Sequence, residues 1–141
     1  MPIQFVLSPL FVEVLLTFGL MFGMMYFRSS SLMRGETRLE AIAMREPNWP
    51  RRANQFAYAF GNQFELPLLF YVLTILSIMT RHADIVFVTL AWIFVAFRIL
   101  QAAIHVTSNN VSLRGAFYGV GAFVLVIMWV NFMIHILLNL P

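Results

Sequence analysis

Four long apolar stretches alternate with short polar connections along the chain. They cover residues 3–27, 53–80, 85–106 and 116–138, and each exceeds the ~20 residues that a helix needs to cross a ~30 Å hydrocarbon layer. The stretches do not alternate apolar with polar positions, and each is about twice as long as a barrel strand. The pattern therefore predicts an all-α membrane protein in which residues 1–141 form one bundle of four transmembrane helices.

The composition is typical of a membrane protein and excludes several other classes of protein. The 141 residues are 61% hydrophobic and only 11% charged, which excludes a soluble globular domain. The net charge of +3 comes from Arg residues spread along the chain, so we expect no nucleic-acid partner. The chain has no Cys, and any thiol chemistry would therefore use a thiol from another molecule. Three dispersed His residues, without carboxylates at helical spacing, predict no metal site.

The distribution of Arg predicts the orientation. The loop at residues 28–52 carries six Arg, whereas the loop at residues 81–84 carries one and both termini carry none. Because basic residues are concentrated in cytoplasmic loops, the long loop is expected in the cytoplasm and both termini outside. Within it, Leu39, Ile42 and Ala43 have helical spacing, which predicts a short interfacial helix that ends before Pro47.

Polar residues recur at helical spacing in three of the four spans. They are Arg51, Gln55, Tyr58, Asn62 and Glu65 in the second span, Arg98, Gln101 and His105 in the third, and Arg114 and Tyr118 at the start of the fourth. Gaps of three and four place each set on one helix face. At ~1.5 Å per residue, all lie within about 18 Å of the ends of the spans next to the long loop. We expect them to line a polar pocket open to the cytoplasm.

The charged residues within the spans need partners, because a charge in the hydrocarbon layer is costly. Glu65 and Arg98 lie at similar depths, and we expect them to form a buried ion pair. A purely structural role for this pair, joining two helices, remains an alternative. Glu13, in the first span, lies away from the polar faces, and it is either a proton or cation site or another partner for Arg98.

The ordered set of polar residues resembles the MAPEG family, the membrane-associated proteins in eicosanoid and glutathione metabolism, and in particular its short bacterial members. The motifs that carry the resemblance are Asn62-x-x-Glu65-x-Pro67, Arg98-x-x-Gln101-x-x-x-His105 and Arg114-x-x-x-Tyr118. They match from about residue 50 to residue 120, and the number of spans matches over the whole chain. The resemblance implies an integral protein of a bacterial cytoplasmic membrane.

The resemblance also implies a function. It implies a homotrimer that binds glutathione as a co-substrate between neighbouring subunits, and that takes a lipophilic substrate from the membrane lipids. The activity would be that of a glutathione transferase or peroxidase acting on lipophilic electrophiles. The residues expected to bind glutathione are Asn62, Glu65, Arg98, Gln101, His105, Arg114 and Tyr118. Arg114 is also the candidate catalytic residue, because a nearby cation favours the thiolate.

Five positions depart from the family pattern. Gln101 takes a position often held by His, and His105 takes one held by Tyr in eicosanoid enzymes. Tyr58 and Gly61 stand where glutathione-using members commonly have Arg or another polar residue, and Gly115 replaces a Ser that is proposed to be catalytic in a prostaglandin-synthesising member. Prostaglandin synthesis is therefore not expected. Two alternatives remain open: a lipid-binding protein of this family without catalysis, and a small proton-coupled exporter that uses Glu13. The 25-residue loop and the polar faces of three spans argue against the exporter.

Overall fold

The computed structural model describes residues 2–140, and this part of the chain is helical without any strand. Four units are long and apolar enough to cross a membrane, namely α1, α3 together with α4, α5, and α6. The prediction of an all-α, four-span membrane protein is confirmed. The helices are α1 (Ile3–Met33), α2 (Leu39–Ile42), α3 (Arg51–Asn62), α4 (Leu66–Met79), α5 (Ile85–Val106) and α6 (Val111–Leu137).

Two spans extend five or six residues beyond one end of their apolar stretches. Helix α1 continues six residues beyond the expected end at residue 27, until Gly35 takes a φ of 72° in the left-handed region. Helix α6 begins at Val111 instead of residue 116, because the Asn110 side chain caps it by accepting a hydrogen bond of 3.2 Å from the Leu113 N–H. Polar residues at a helix end thus extend the helix past the hydrocarbon layer. The predicted short helix in the long loop is present as α2.

The second span is broken in the middle, where the sequence pattern predicted one helix. Pro67 has no N–H to offer the Gln63 carbonyl, and its ring excludes a regular turn before it. The chain makes tighter turns over residues 60–65 instead, with hydrogen bonds from the Gln63 N–H to the Phe60 carbonyl and from the Phe64 N–H to the Gly61 carbonyl. The second span therefore consists of α3 and α4, and Glu65 lies at the break.

Helix α5 is the centre of the bundle and packs against α1, α3 and α6. Buried apolar side chains of α1, α4, α5 and α6 form the main core in the half of the bundle far from the long loop. Near the loop the packing is closer, since Ala59 of α3 and Ala102 of α5 are both buried. A Cβ on Gly23 would lie 2.4 Å from ring carbons of Phe56, so only glycine permits the approach of α1 to α3. The small residues leave polar side chains of α3 and α5 near each other.

Candidate functional site

A pocket of about 570 Å³ lies between α3, α5 and α6 at the end of the bundle that carries the long loop. Six of the seven residues predicted to bind glutathione line it. The complete lining is Ala57, Tyr58, Gly61, Asn62, Glu65, Gln101, His105, Arg114, Gly115 and Tyr118. Polar residues that are up to 60 positions apart in the chain, from Tyr58 to Tyr118, thus share one cleft in the structure. The site assignments themselves remain predictions.

Each helix contributes its side chains through simple spacing or through a local break. Tyr58 and Asn62 are one turn apart on α3, and Gln101 and His105 are one turn apart on α5. Glu65 is not on a helix face, because it precedes α4 with φ −98° and ψ −100°. The break caused by Pro67 thus directs the carboxylate into the cleft.

Glu65 and Tyr118 are joined across the pocket. The Tyr118 hydroxyl donates a hydrogen bond of 3.3 Å to Oε2 of Glu65, which is exposed to the cleft. A carboxylate accepts several hydrogen bonds, so Glu65 retains acceptor capacity for a ligand. This end of the pocket can bind a cation such as an ammonium group.

Arg114 contributes a positive charge to the pocket wall, opposite in sign to that of Glu65. Its Nη1 donates a hydrogen bond of 2.6 Å to Oδ1 of Asn109, a residue with a φ of 53° in the turn between α5 and α6. The sequence pattern did not identify Asn109, because it belongs to a turn and not to a helical repeat. The remaining guanidinium donors of Arg114 are suited to a carboxylate or a thiolate.

Two polar side chains from α5 are buried beside the pocket. Gln101 and His105 are only 3% and 4% exposed, and Oε1 of Gln101 and Nδ1 of His105 have no hydrogen-bond partner within residues 2–140. Buried polar atoms in folded proteins usually have a partner. A polar ligand in the pocket would provide one.

Arg98 lies behind the pocket and does not line it. Its Nη2 donates a hydrogen bond of 3.0 Å to the Asn62 carbonyl, and its guanidinium carbon lies 5.8 Å from the centre of the Tyr118 ring. The break in the second span releases this carbonyl from its regular partner, the Leu66 N–H, and it also accepts a hydrogen bond of 3.3 Å from the Glu65 N–H. Arg98 therefore contacts Asn62 and Tyr118 from the side that faces away from the pocket.

The expected ion pair of Glu65 with Arg98 is not formed within the described chain. Glu65 accepts from Tyr118 instead, and the Nε and Nη1 atoms of Arg98 have no hydrogen-bond partner there. The break at residues 63–65 rotates Glu65 away from the face that a continuous helix would give it. Sequence spacing indicates depth and face only while a helix continues.

Glu13 lies on α1, which packs against α5, the helix of Arg98. The Glu13 side chain is fully buried, and both of its carboxylate oxygens lack a hydrogen-bond partner in residues 2–140. Its role as a partner for Arg98 stays a prediction, supported by the two unpartnered nitrogens of Arg98 on the neighbouring helix.

Two other residues of the predicted polar face lie outside the pocket. Gln55 is buried, and its Nε2 donates a hydrogen bond of 3.4 Å to the Thr107 carbonyl; Arg51 is exposed at the start of α3. Gly61 and Gly115, two of the departures from the family pattern, line the cleft. They widen the pocket where larger side chains would narrow it.

The comparisons with known proteins identify one family. The profile of the MAPEG family matches residues 6–134, which is nearly the whole chain and includes every residue of the pocket. Neither a curated protein nor a solved structure matches the chain. The residues that the structure describes contain no group of three or more His, Cys, Asp or Glu side chains able to hold a metal ion.

Proposed function

Since this chain belongs to the MAPEG family, we propose that it is an integral membrane protein that binds glutathione in the pocket between α3, α5 and α6. We further propose that it transfers glutathione to lipophilic electrophiles or uses it to reduce them. The observation that carries the proposal is the convergence of six polar side chains from three helices on one cleft. They are Asn62, Glu65, Gln101, His105, Arg114 and Tyr118.

The chemistry of the pocket is suited to glutathione. The volume of about 570 Å³ is within the ~300–1,000 Å³ usual for small-molecule sites. Glutathione carries two carboxylates, an ammonium group, amides and a thiol. Arg114 supplies donors for a carboxylate, Glu65 accepts from the ammonium group, and Asn62 pairs with an amide. Opposite charges in the lining of one cleft are suited to a zwitterionic peptide.

Arg114 would also act on the reacting sulfur. A guanidinium near a thiol favours the thiolate, which is the nucleophilic form. In conjugation, the thiolate sulfur forms a bond to the electrophilic carbon while the leaving group departs with the bonding electrons. The sulfur must come from glutathione, because the chain itself has no Cys.

An apolar groove gives the lipophilic substrate a place beside the polar pocket. The groove has a volume of about 440 Å³ and runs between α4 and α6, where Leu66 follows Glu65 and Ala122 lies one turn beyond Tyr118. The groove therefore meets the pocket at Glu65 and Tyr118, where a lipophilic molecule would reach the bound glutathione. The groove equally supports a second candidate function, lipid binding by a family member without catalysis.

The proposed assembly and location follow the family. We propose a homotrimer in a bacterial cytoplasmic membrane, in which a neighbouring subunit closes the cleft. Many large apolar side chains are exposed on the single chain, including Phe11, Leu15 and Phe22 of α1. Lipid or another subunit must cover them.

Calorimetric titration of the detergent-solubilised protein with glutathione tests the proposal. We expect saturable binding, and release of chloride when chlorodinitrobenzene is added with glutathione. Oxidised glutathione, which has no free thiol, is the control for thiol-dependent turnover. Binding without any turnover of this or other lipophilic electrophiles would favour the second candidate, and absence of binding would reject the proposed site.

A further inference from the structure

A second pocket lies on the other side of α3, where the long loop folds back against α1. It has a volume of about 470 Å³, and its wall includes Met24, Arg28, Arg45, Trp49 and Phe60. We propose that this interfacial pocket binds an anionic phospholipid, with the phosphate at the two arginines and an acyl chain along Met24 and Phe60. The proposal does not rest on glutathione binding.

The position of the pocket corresponds to the level of lipid headgroups. From Ile3 to Arg28, α1 rises about 38 Å at ~1.5 Å per residue, which exceeds the ~30 Å hydrocarbon layer. Arg28 therefore reaches the layer of phosphates. Trp49 lies beside it, and Trp is the residue typical of this boundary.

The charge in the pocket is suited to a phosphate. Arg28 and Arg45 line it together with one acidic residue, Glu46. The Arg28 guanidinium carbon lies 4.9 Å from the centre of the Trp49 ring, and its buried Nε has no hydrogen-bond partner in the described chain. Arginine binds phosphate oxygens through parallel hydrogen bonds. A guanidinium held by a ring and lacking a partner at Nε is prepared for such a ligand.

Hydrogen bonds hold the loop that forms the outer wall. Nδ2 of Asn54 on α3 donates to the carbonyls of Pro47 and Trp49, at 3.0 and 3.3 Å. Nδ2 of Asn48 donates to the Ala41 carbonyl at 2.7 Å. These bonds tie the loop to α3 and to the region of α2. The pocket is therefore formed before a ligand binds, which reduces the entropic cost of binding.

The apolar part of the wall distinguishes a lipid from a free phosphate ion. Met24 lies one turn deeper than Arg28 on α1, and Phe60 is half-buried on α3. A soluble anion would leave these side chains unused, whereas an acyl chain continues from the phosphate into contact with them. Basic pockets between transmembrane helices are known to bind anionic lipid headgroups.

Native mass spectrometry of the protein in detergent tests the proposal by titration with phosphatidylglycerol and, separately, with phosphatidylcholine. We expect phosphatidylglycerol to be retained at least about tenfold more strongly, which corresponds to ~1.4 kcal/mol. The double variant Arg28→Gln/Arg45→Gln should lose this preference. The control Arg34→Gln/Arg38→Gln removes the same charge from exposed residues of the same loop region, and it should keep the preference.

Each contrary result would overturn the proposal in a distinct way. Equal retention of the two lipids would indicate only an apolar surface, and an equal loss in the control would indicate only general charge attraction. Displacement of phosphatidylglycerol by inorganic phosphate would indicate a site for a soluble anion. If the double variant does not fold, the single variant Arg45→Gln of an exposed residue applies the same test.

Discussion

At the scale of single residues, two roles of Arg114 are to be compared: that of a ligand-binding residue and that of a basic anchor which sets the topology. An arginine at the start of a span can act only as a basic anchor at the membrane surface. In the structure, Arg114 lines the pocket and is oriented by Asn109. A lysine would keep the charge but lose the planar set of donors that binds a carboxylate.

We therefore predict that Arg114→Lys inserts into the membrane normally but binds glutathione at least about tenfold more weakly, a loss of ~1.4 kcal/mol. Calorimetry of the two proteins in the same detergent measures this difference. Arg34→Lys, at an exposed position of the long loop, is the control and should bind like the wild type. If wild type and Arg114→Lys bind equally, Arg114 is an anchor and the assignment is wrong.

The interaction of the buried charges of Glu13 and Arg98 also belongs to the scale of single residues. Both are buried, at 0% and 1% exposure, on helices that pack together. The two unpartnered oxygens of Glu13 and the two unpartnered nitrogens of Arg98 are groups that trapped water commonly joins. Their interaction should be strong, because removal of one partner leaves a charge in the apolar core.

We predict that Glu13→Gln and Arg98→Met each destabilise the protein, by about 3 to 5 kcal/mol for the arginine. The double variant should cost clearly less than the sum, since it leaves no buried charge. A double-mutant cycle, measured by denaturant unfolding in mixed micelles, gives the coupling free energy. Additive losses would mean that the two residues act independently.

Helical spacing was sufficient to group most of the pocket residues, and it was insufficient for the residues around the break. Gln101 and His105 stay one turn apart on an unbroken α5, so their common face could be predicted. The relative positions of Glu65 and Arg98 could not be predicted, because the break before Pro67 turns Glu65 away from the face of a regular helix. Asn109 was not found, since a turn has no repeat from which to predict it.

At the scale of elements, the division of the second span into α3 and α4 forms the site. Pro67 prevents a regular helix, and the turns before it expose the Asn62 carbonyl to Arg98 and direct Glu65 to Tyr118. The sequence contained the signal in Pro67, but many transmembrane helices bend at proline without separating. The four apolar spans, by contrast, could be predicted because length and hydropathy alone decide them.

We predict that Pro67→Ala preserves the fold but weakens glutathione binding by at least about tenfold, or ~1.4 kcal/mol. Alanine restores an N–H for the Gln63 carbonyl, so the helix can continue and withdraw Glu65 from the cleft. Circular dichroism should show retained or increased helix, and calorimetry measures the affinity. Pro9→Ala, at a buried proline inside α1, is the matched control and should bind normally. Unchanged affinity in Pro67→Ala would show that the break is not needed for the site.

At the scale of the whole molecule, the two pockets lie at the same end of the bundle, on two sides of α3. Ala57 and Tyr58 line both of them. A lipid in the interfacial pocket would therefore contact the helix that carries Asn62. Both proposals also require the loop end to be accessible from the aqueous phase, where glutathione and anionic headgroups are found.

The orientation of the bundle decides which aqueous phase that is. Six Arg lie in residues 28–52, whereas the loop at 81–84 has one, so we predict that the long loop is cytoplasmic and that both termini are outside. A reporter that is active only in the cytoplasm should be inactive when fused to the C-terminus and active when inserted beside the exposed Gly35. The proposed glutathione pocket, which lies at the loop end of the bundle, would then face the compartment in which glutathione is kept reduced. An active C-terminal fusion would show that the orientation is the reverse of the predicted one. Both pockets would then be reached from the outside.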